Sequence, residues 1–213
     1  MSTSRDRIIG KLRAAQQPFT DVAPVAERKS MVPLDDTSPA ALLTRFKDEA
    51  QKLGCYLYHL SEADSIARVL ELIGADKQVL AWDFRSIPLS GLSEALASAG
   101  ISTAAYDDGG VKVGITGADA ALAATGSLVL SSGRGKHRTT SLLPDVHLAV
   151  IRSDQIRPDF ESWISEQRTM GQPAFHVASN TVIISGPSKT ADIAQELIKG
   201  AHGPRVVHIF IVG

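Results

Sequence analysis

The sequence predicts an α/β fold with a mainly parallel β-sheet and helices on both faces. From Ser38 onward, short apolar runs of strand length alternate with amphipathic stretches of helix length, which is typical of β-α-β units. The chain has 213 residues, of which 44% are apolar and 21% charged, as in ordinary globular proteins. This length is sufficient for one α/β domain and does not require two.

The N-terminal part predicts one helix followed by a segment without periodicity. Ser4 caps a helix that ends near Gln17, and its narrow apolar stripe either docks onto the core or forms a subunit contact, such as a homodimer interface. Residues 17–36 contain three prolines and form a linker, a surface strap or a segment that orders on a partner. We therefore divide the chain into an N-terminal helix and extended strap, residues 1–37, and an α/β domain, residues 38–213.

The first half of the α/β domain contains three helical patterns that begin at capping residues and end at glycine. Their ranges are Ser38–Gly54, Ser61–Gly74 and Ser90–Gly100. In the second helix we expect an inward face made of Ala63, Ile66, Ala67, Leu70 and Ile73. Strands are predicted at Cys55–His59, Gln78–Ala81, Ile101–Ala104 and Val111–Ile115.

In the second half, two apolar strands, Ser127–Leu130 and His147–Ile151, bracket a basic loop that contains glycine. A helix is predicted at Asp159–Met170, and a helix that opens at Ser188 or Thr190 ends at Gly200. The remaining predicted strands are Ala174–Ala178 and Val182–Ser185, with Ser179-Asn180 as a tight turn between them, and Val206–Val212.

The basic loop Ser131–Thr140 is the first candidate for ligand binding. Its glycines allow the backbone to approach a ligand closely, and its basic side chains and hydroxyls suit an anion. The residues concerned are Ser132, Gly133, Arg134, Gly135, Lys136 and Arg138. The alternative is a solvated basic loop without a ligand. We favour an anion site, because basic residues concentrate here in a chain whose formal net charge is −1.

Two further junctions follow predicted strands. Ser185–Asp192 precedes a predicted helix, whose N-terminal N–H groups suit a phosphate or carboxylate. Its candidate residues are Gly186, Ser188, Lys189, Thr190 and Asp192, and simple helix capping is the alternative. In Gly114–Asp119, Thr116 or Gly117 ends a strand and Asp119 lies in the first turn of a short predicted helix. Neither Walker nor dinucleotide-binding glycine spacing occurs in these loops.

Composition excludes several functions. The near-neutral charge argues against nucleic acid as a partner. Cys55 is the single cysteine, so one chain cannot form a disulfide or ligate an iron–sulfur cluster with cysteines. We expect no metal site, because His202 and His208 have no carboxylate at ligand spacing. No apolar run reaches the roughly 18 residues of a membrane span, and the N-terminus lacks a signal-peptide core, so we expect a cytoplasmic protein.

Two separated motifs resemble those of a known family. The first comprises Gly114–Asp119, Ala124-Thr125-Gly126, Ser131–Gly135 and Leu142-Leu143-Pro144-Asp145-Val146-His147. The second comprises Ser185–Ile193 followed by Gly200–Arg205. Together they make the chain, from about Asp35 to its end, resemble the lactate utilization protein C family, which carries the LUD domain. The family usually has Glu or Asp before Thr-Gly, whereas this chain has Ala124.

The resemblance implies a Rossmann-like three-layer sandwich, similar to the fold of CoA transferases and sugar-phosphate isomerases. It also implies a role in oxidising L-lactate to pyruvate, as one component of a system whose other subunits carry iron–sulfur clusters. We expect the chain to hold no covalent cofactor and no cluster of its own, and to bind a small anionic or nucleotide-like ligand. Thr125 and Gly126 join Thr116, Gly117 and the two loops as candidate ligand-binding residues.

Two other functions stay open from the sequence. A non-catalytic scaffold or regulatory subunit of the same complex is favoured by Ala124, which removes a carboxylate that could act as a base or nucleophile, and by the N-terminal helix and strap. An enzyme of the CoA-transferase or cyclo-ligase kind rests on fold analogy alone. The sequence names no catalytic residue.

Overall fold

The computed structural model describes residues 3–15, 33–171, 173–191 and 197–213. Six strands, all parallel to their neighbours, form the central sheet. They are β1 (Tyr56–His59), β2 (Gln78–Ala81), β3 (Ser102–Thr103), β4 (Val113–Thr116), β7 (Val146–Arg152) and β12 (Val206–Val212). Their order across the sheet is β1-β12-β7-β4-β2-β3. The predicted α/β class with a mainly parallel sheet is therefore confirmed.

Strands β7 and β12 lie in the interior of the sheet and are mostly apolar on both faces, because both faces of a parallel sheet are covered. Residues 147–151 and 207–212 are all buried. Phe210, Ile151 and Leu148 are among the largest side chains that the fold removes completely from solvent. Residues of these strands pack with residues of α2 (Pro39–Leu53), α3 (Glu62–Ile73) and α4 (Leu92–Ser98) in one hydrophobic core.

Apart from the last of them, the described helices begin and end much as the sequence predicts. They are α1 (Ser4–Ala15), α2 (Pro39–Leu53), α3 (Glu62–Ile73), α4 (Leu92–Ser98), α5 (Phe160–Thr169) and α6 (Pro173–His176). The Ser38 hydroxyl caps α2 by accepting a hydrogen bond from Ala41 N, and Gly54 ends it with a φ of 95°. α2 buries Leu42, Phe46 and Ala50.

The inward face of α3 differs from the prediction. Ser65, Val69 and Ile73 are buried, whereas Ala63 and Ala67 are exposed. The helix is rotated so that the larger Val69 reaches the core. Exposing alanine gives up little apolar area, so this rotation increases the area removed from water.

A second, four-stranded sheet lies beside the first. It contains β5 (Ala120–Leu122), β6 (Ser127–Ser132), β8 (Ile156–Arg157) and β9 (Asn180–Ile184), in the order β8-β5-β6-β9. Trp163 of α5 packs on it against Leu122 and Val129. The helix predicted at Asp119 is wrong, because Asp119 N donates to Val129 O and the chain continues as a strand paired with β6.

The strand predicted at Ala174–Ala178 is also wrong. The chain forms the short helix α6 there, and β9 begins at Asn180, so Ser179-Asn180 does not join two strands. Pro173 explains the difference, since proline favours the first position of a helix and has no N–H for a strand ladder.

The helix predicted between Ser188 and Gly200 is replaced by an antiparallel pair, β10 (Lys189–Ala191) and β11 (Leu197–Lys199). The backbone groups find partners far along the chain rather than four residues away. Ser188 N donates to Pro204 O at 2.8 Å, and Gly200 N donates to Ser188 O at 3.0 Å. Asp192 lies outside the described residues.

Helix α1 buries none of its residues, and Ile8 and Leu12 are each 59% exposed. Its docking onto the core is therefore not observed among the described residues. Most of the predicted strap, residues 16–32, lies outside the described ranges, and the division at residue 37 stays a prediction. In the parts of the chain that the structure describes, no helix has the length and apolar character needed to span a bilayer.

Candidate functional site

The candidate site is organised around one row of residues across the central sheet. Leu80, Gly114, His147 and Val207 are in register on β2, β4, β7 and β12. A Cβ at Gly114 would overlap the Thr140 carbonyl oxygen and lie 2.9 Å from Pro144 Cγ. Glycine therefore allows the 3-10 turn Arg138–Ser141 to rest directly on the sheet. Two cavities border this turn, one lined by Thr140 and the other by Ser141.

The first, which we call the tryptophan cavity, has a volume of about 500 Å³ and lies at the carboxyl ends of β2 and β3. The basic loop closes over it. Asp83 N donates to Gly135 O at 2.7 Å, and Trp82 Nε1 donates to His137 O at 3.1 Å. Its lining includes Leu80, Trp82, Asp83, Phe84, Tyr106, Gly135, His137 and Thr140. The Tyr106 and His137 rings stack with their centres 4.4 Å apart.

Several charges near this cavity already have partners. The Arg85 guanidinium holds the pKa of Asp83 down at about 2 through hydrogen bonds. Lys136 Nζ lies 3.0 Å from Asp119 Oδ1 and 5.2 Å from the centre of the Trp82 ring. The charge of Lys136 is therefore already paired with Asp119 and is less available to a ligand.

The arginines of the basic loop differ from its lysine. Arg134 and Arg138 are exposed, and neither makes an ion pair within the described residues. They flank Gly135 and His137 in the chain, both of which line the tryptophan cavity. They are consequently the basic groups of this loop that remain available to an anion.

The second, which we call the histidine cavity, has a volume of about 210 Å³. Its lining includes Ser141, Leu142, His147, Ser185, Gly186, Ser188, His202, Pro204 and Val207. His147 is completely buried, and its Nε2 lies 2.8 Å from Thr116 Oγ1. Its Nδ1 has no hydrogen-bond partner within the described ranges of the chain. Burial lowers the pKa of His147 to about 4, so the ring is neutral near neutral pH.

The second predicted loop forms the more exposed end of the histidine cavity. Ser188 Oγ accepts a long hydrogen bond, 3.4 Å, from His202 N. Ser185 Oγ lies 2.9 Å from Ser127 Oγ, which in turn accepts from Thr125 Oγ1 at 2.9 Å. Both sequence motifs therefore meet at this cavity, through His147 on one side and through Ser185, Gly186 and Ser188 on the other.

Lys189 does not point at either cavity. Its Nζ donates to Leu53 O at 2.6 Å, at the last residue of α2. This contact satisfies a carbonyl at the C-terminus of α2, where a cation also interacts favourably with the helix dipole. Lys189 thus has a structural role in this geometry.

Several other predicted residues also hold the backbone in place. A Cβ at Gly117 would overlap Ser86 O, one at Gly126 would overlap the backbone of α2 at Ala50, and one at Gly186 would lie 3.0 Å from Leu53 O. Ser132 O accepts from Ser179 N at 2.7 Å, Gly133 pairs with Lys136, and Thr190 pairs with Ile198. Ala124 is buried and its N donates to Pro158 O at 2.8 Å.

The two loops therefore line neighbouring cavities rather than one shared pocket. The sequence interpretation had not selected Trp82, Tyr106, His147 or His202 as ligand contacts. His147 had a recognisable signal, since a histidine within an apolar central strand needs a partner for each ring nitrogen. Tyr106 had none, because its contact with His137 depends on tertiary packing.

Comparisons with known proteins agree on one family. The LUD domain model matches residues 43–212. Proteins named lactate utilization protein C are 38% identical over 100 residues in Exiguobacterium, 30% over 185 residues in Shouchella clausii and 27% over 221 residues in Deinococcus radiodurans. These alignments cover 46%, 80% and 100% of this chain. They cover 44%, 79% and 93% of the relatives, so the first spans less than half of its relative's length.

A solved structure supports the fold. The crystal structure of a DUF162 family protein from Deinococcus radiodurans matches with a TM-score of 0.59 over 85% of this chain and 100% of that chain. Its sequence is 20% identical, so this likeness concerns the fold alone. The LUD model covers most of the α/β domain, including every strand of the central sheet. The chain belongs to the LUD domain family.

Proposed function

We propose that this chain is a component of an L-lactate utilization system and contributes to the oxidation of lactate to pyruvate together with iron–sulfur partner subunits. The observation that carries this proposal is the family membership. Relatives named lactate utilization protein C align with 80% and 100% of the chain. Residues of both sequence motifs line the histidine cavity of this chain, which supports a binding role for that cavity.

The chemistry of this chain suits a division of labour with partner subunits. Cys55 is its single cysteine, and burial raises the pKa of that thiol to about 11. The thiol therefore stays protonated at neutral pH, whereas a metal ligand or nucleophile must be a thiolate. In this proposal, clusters on the partner subunits would accept the electrons from lactate, while this chain contributes binding.

We assign the anionic or nucleotide-like ligand to the tryptophan cavity. In open α/β sheets, ligands collect beyond the carboxyl ends of the strands, and this cavity lies there at β2 and β3. Its volume of about 500 Å³ is in the range of small-molecule sites. The stacked Tyr106 and His137 rings offer a surface for a planar group, and Arg134 and Arg138 are free to meet an anion.

Growth on lactate tests the pathway role. A strain that lacks this chain should fail to grow with L-lactate as its carbon source, and should grow normally on pyruvate, because only the oxidation step is interrupted. Supplying the wild-type chain should restore growth. Undiminished growth of the deletion strain on L-lactate, in a strain without a second copy, would contradict the proposal.

Titration with ADP and with inorganic phosphate tests the ligand assignment. Changing Arg134→Ala together with Arg138→Ala should weaken binding by about tenfold or more, because two charge-assisted hydrogen bonds are lost. The matched control is Arg5→Ala with Arg13→Ala on α1, which removes the same charge far along the chain. Equal affinity in the loop variant and the wild type would remove the arginines from the site.

A scaffold that assembles the iron–sulfur subunits is the second candidate function. The observation that favours it is the exposure of Ile8 and Leu12 on α1, since a helix with uncovered apolar residues suits a partner surface. A scaffold should retain its partners during purification without added ligand. If the partners are retained only when a ligand is present, the scaffold interpretation fails.

A further inference from the structure

The Nδ1 atom of His147 is an unusual feature of the molecule. It is buried and has no hydrogen-bond partner among the residues that the structure describes, and His147 is one of the residues that line the histidine cavity. Buried polar atoms in proteins nearly always have a partner, and an orphan calls for an explanation such as a ligand. The cavity beside this ring has room for a small organic molecule.

The environment of the ring determines what Nδ1 offers to a ligand. A neutral imidazole carries one proton, on either Nδ1 or Nε2. Within the described part of the chain, the Thr116 hydroxyl has one hydrogen-bond partner, the Nε2 of His147. If Nε2 carried the proton, the hydroxyl hydrogen of Thr116 would be buried without an acceptor. Donation from Thr116 to Nε2 satisfies both groups, and it leaves the ring proton on Nδ1 as a donor.

The lining of the cavity limits the chemistry of the acceptor. Its inner part is formed by buried residues, including Ser141, His147 and Val207, and Ser185 and His202 are exposed at its other end. Among the described residues, no Lys, Arg, Asp or Glu lines it. An ionised carboxylate placed deep inside would be costly without a countercharge, whereas a neutral carbonyl oxygen would not be. A charged group of the ligand therefore belongs at the exposed end.

We propose that the histidine cavity binds a small α-keto acid. Its carbonyl oxygen accepts the Nδ1–H of His147, and its carboxylate lies at the exposed end, near Ser188 and His202. The choice of a keto acid rests on the proposed function, because pyruvate is the product of lactate oxidation. The corresponding hydroxy acid offers a hydroxyl oxygen in the same position and binds more weakly, since it has to orient its own proton away from the donor.

Histidine-selective nitrogen NMR of the full chain tests the proposal. In the free protein, the signals of His147 should show a protonated Nδ1 and an unprotonated Nε2. Adding pyruvate should move the Nδ1 signal. Isobutyrate has a methyl group where pyruvate has its carbonyl oxygen. Its affinity should be lower than that of pyruvate by about tenfold or more, because it leaves the buried donor unpaired.

Two variants separate the site from general damage. Ser188→Ala should weaken pyruvate binding while leaving the His147 tautomer unchanged, and Thr116→Val should remove the preference for a protonated Nδ1. Ser98→Ala, on the exposed surface of α4, is the matched control and should behave as the wild type. A His147 signal that does not respond to pyruvate, or equal affinity for pyruvate and isobutyrate, would overturn the proposal.

The outcomes also distinguish this inference from the pathway role. If the deletion strain grows on lactate but pyruvate shifts the His147 signal, the binding site stands and the pathway assignment fails. If the deletion strain cannot grow on lactate and the His147 signal does not respond, the pathway assignment stands and this site fails.

Discussion

Gly114 and His147 occupy neighbouring positions in register on β4 and β7, and each shapes the site in a different way. Gly114 permits the close approach of the turn that carries Thr140, and His147 supplies the buried nitrogen beside it. The turn Arg138–Ser141 can therefore lie this close to the sheet only because Gly114 has no side chain. Substitution at either position should act on the site directly.

Gly114→Ala should destabilise the fold by about 1–3 kcal/mol, because the added methyl group would force the turn Arg138–Ser141 away from the sheet. Urea unfolding measures the change in free energy of unfolding. The control is Gly109→Ala, where a Cβ meets no atom within 4 Å and φ is not positive. If the two variants are equally stable, Gly114 does not set the position of the turn.

Two buried histidines predict a loss of stability in mild acid. Burial lowers the pKa of both His147 and His208 from 6.5 to about 4. Between these pH values the two histidines are protonated in the unfolded chain and unprotonated in the folded chain. The free energy of unfolding should therefore fall as the pH drops from 6.5 to about 4. His208→Phe removes one of the two groups and should make this fall shallower in urea unfolding at several pH values. The same slope in the variant and the wild type would contradict the assignment.

At the scale of elements, local patterns predict α2, α3 and α4 well because caps and terminal glycines are encoded near each helix. The strands of the central sheet are likewise predictable from their apolar runs. The hairpin formed by β10 and β11 was not predictable from such patterns, since its backbone pairs at Ser188 with Pro204 and Gly200 rather than within one helical turn. The site was predictable only in part, for the same reason. The two loops can be recognised in the sequence, but the contact between Gly114 and Thr140, beside which the two cavities form, depends on the register of the sheet.

The contact between β10 and α2 gives a prediction for Lys189. Lys189→Ala should lower stability by roughly 0.3–1 kcal/mol, because the last carbonyl of α2 loses its cation. It should leave titrations with ADP and with pyruvate unchanged, since Lys189 lines neither cavity. Thermal unfolding and the two titrations check these results together. Unchanged stability combined with weaker binding would restore Lys189 as a ligand contact.

At the scale of the whole molecule, the two cavities and the exposed helix α1 belong to different segments of the chain. The α/β domain holds two cavities on either side of one turn, and α1 presents Ile8 and Leu12 to solvent. A helix that buries none of its own residues adds little to the stability of the domain. Its exposed Ile8 and Leu12 are the residues that test the proposed scaffold function.

Changing Ile8→Glu together with Leu12→Glu should therefore leave the thermal unfolding of the purified chain unchanged. If the proposed scaffold function holds, the double variant should reduce co-purification with the proposed iron–sulfur subunits, because charged groups would replace apolar ones on α1. Lys11→Glu, on the same helix, controls for the change in charge. Full retention of the partners by the double variant would exclude α1 as their binding surface.

The most direct measurement of the central claim is L-lactate oxidation in an extract of the deletion strain, followed through reduction of an added electron acceptor. The extract alone should oxidise L-lactate slowly or not at all. Adding the purified wild-type chain, or the Ser98→Ala control, should restore the rate, and Ser188→Ala should restore less of it. A rate that is the same with and without the added chain would contradict its role in lactate oxidation.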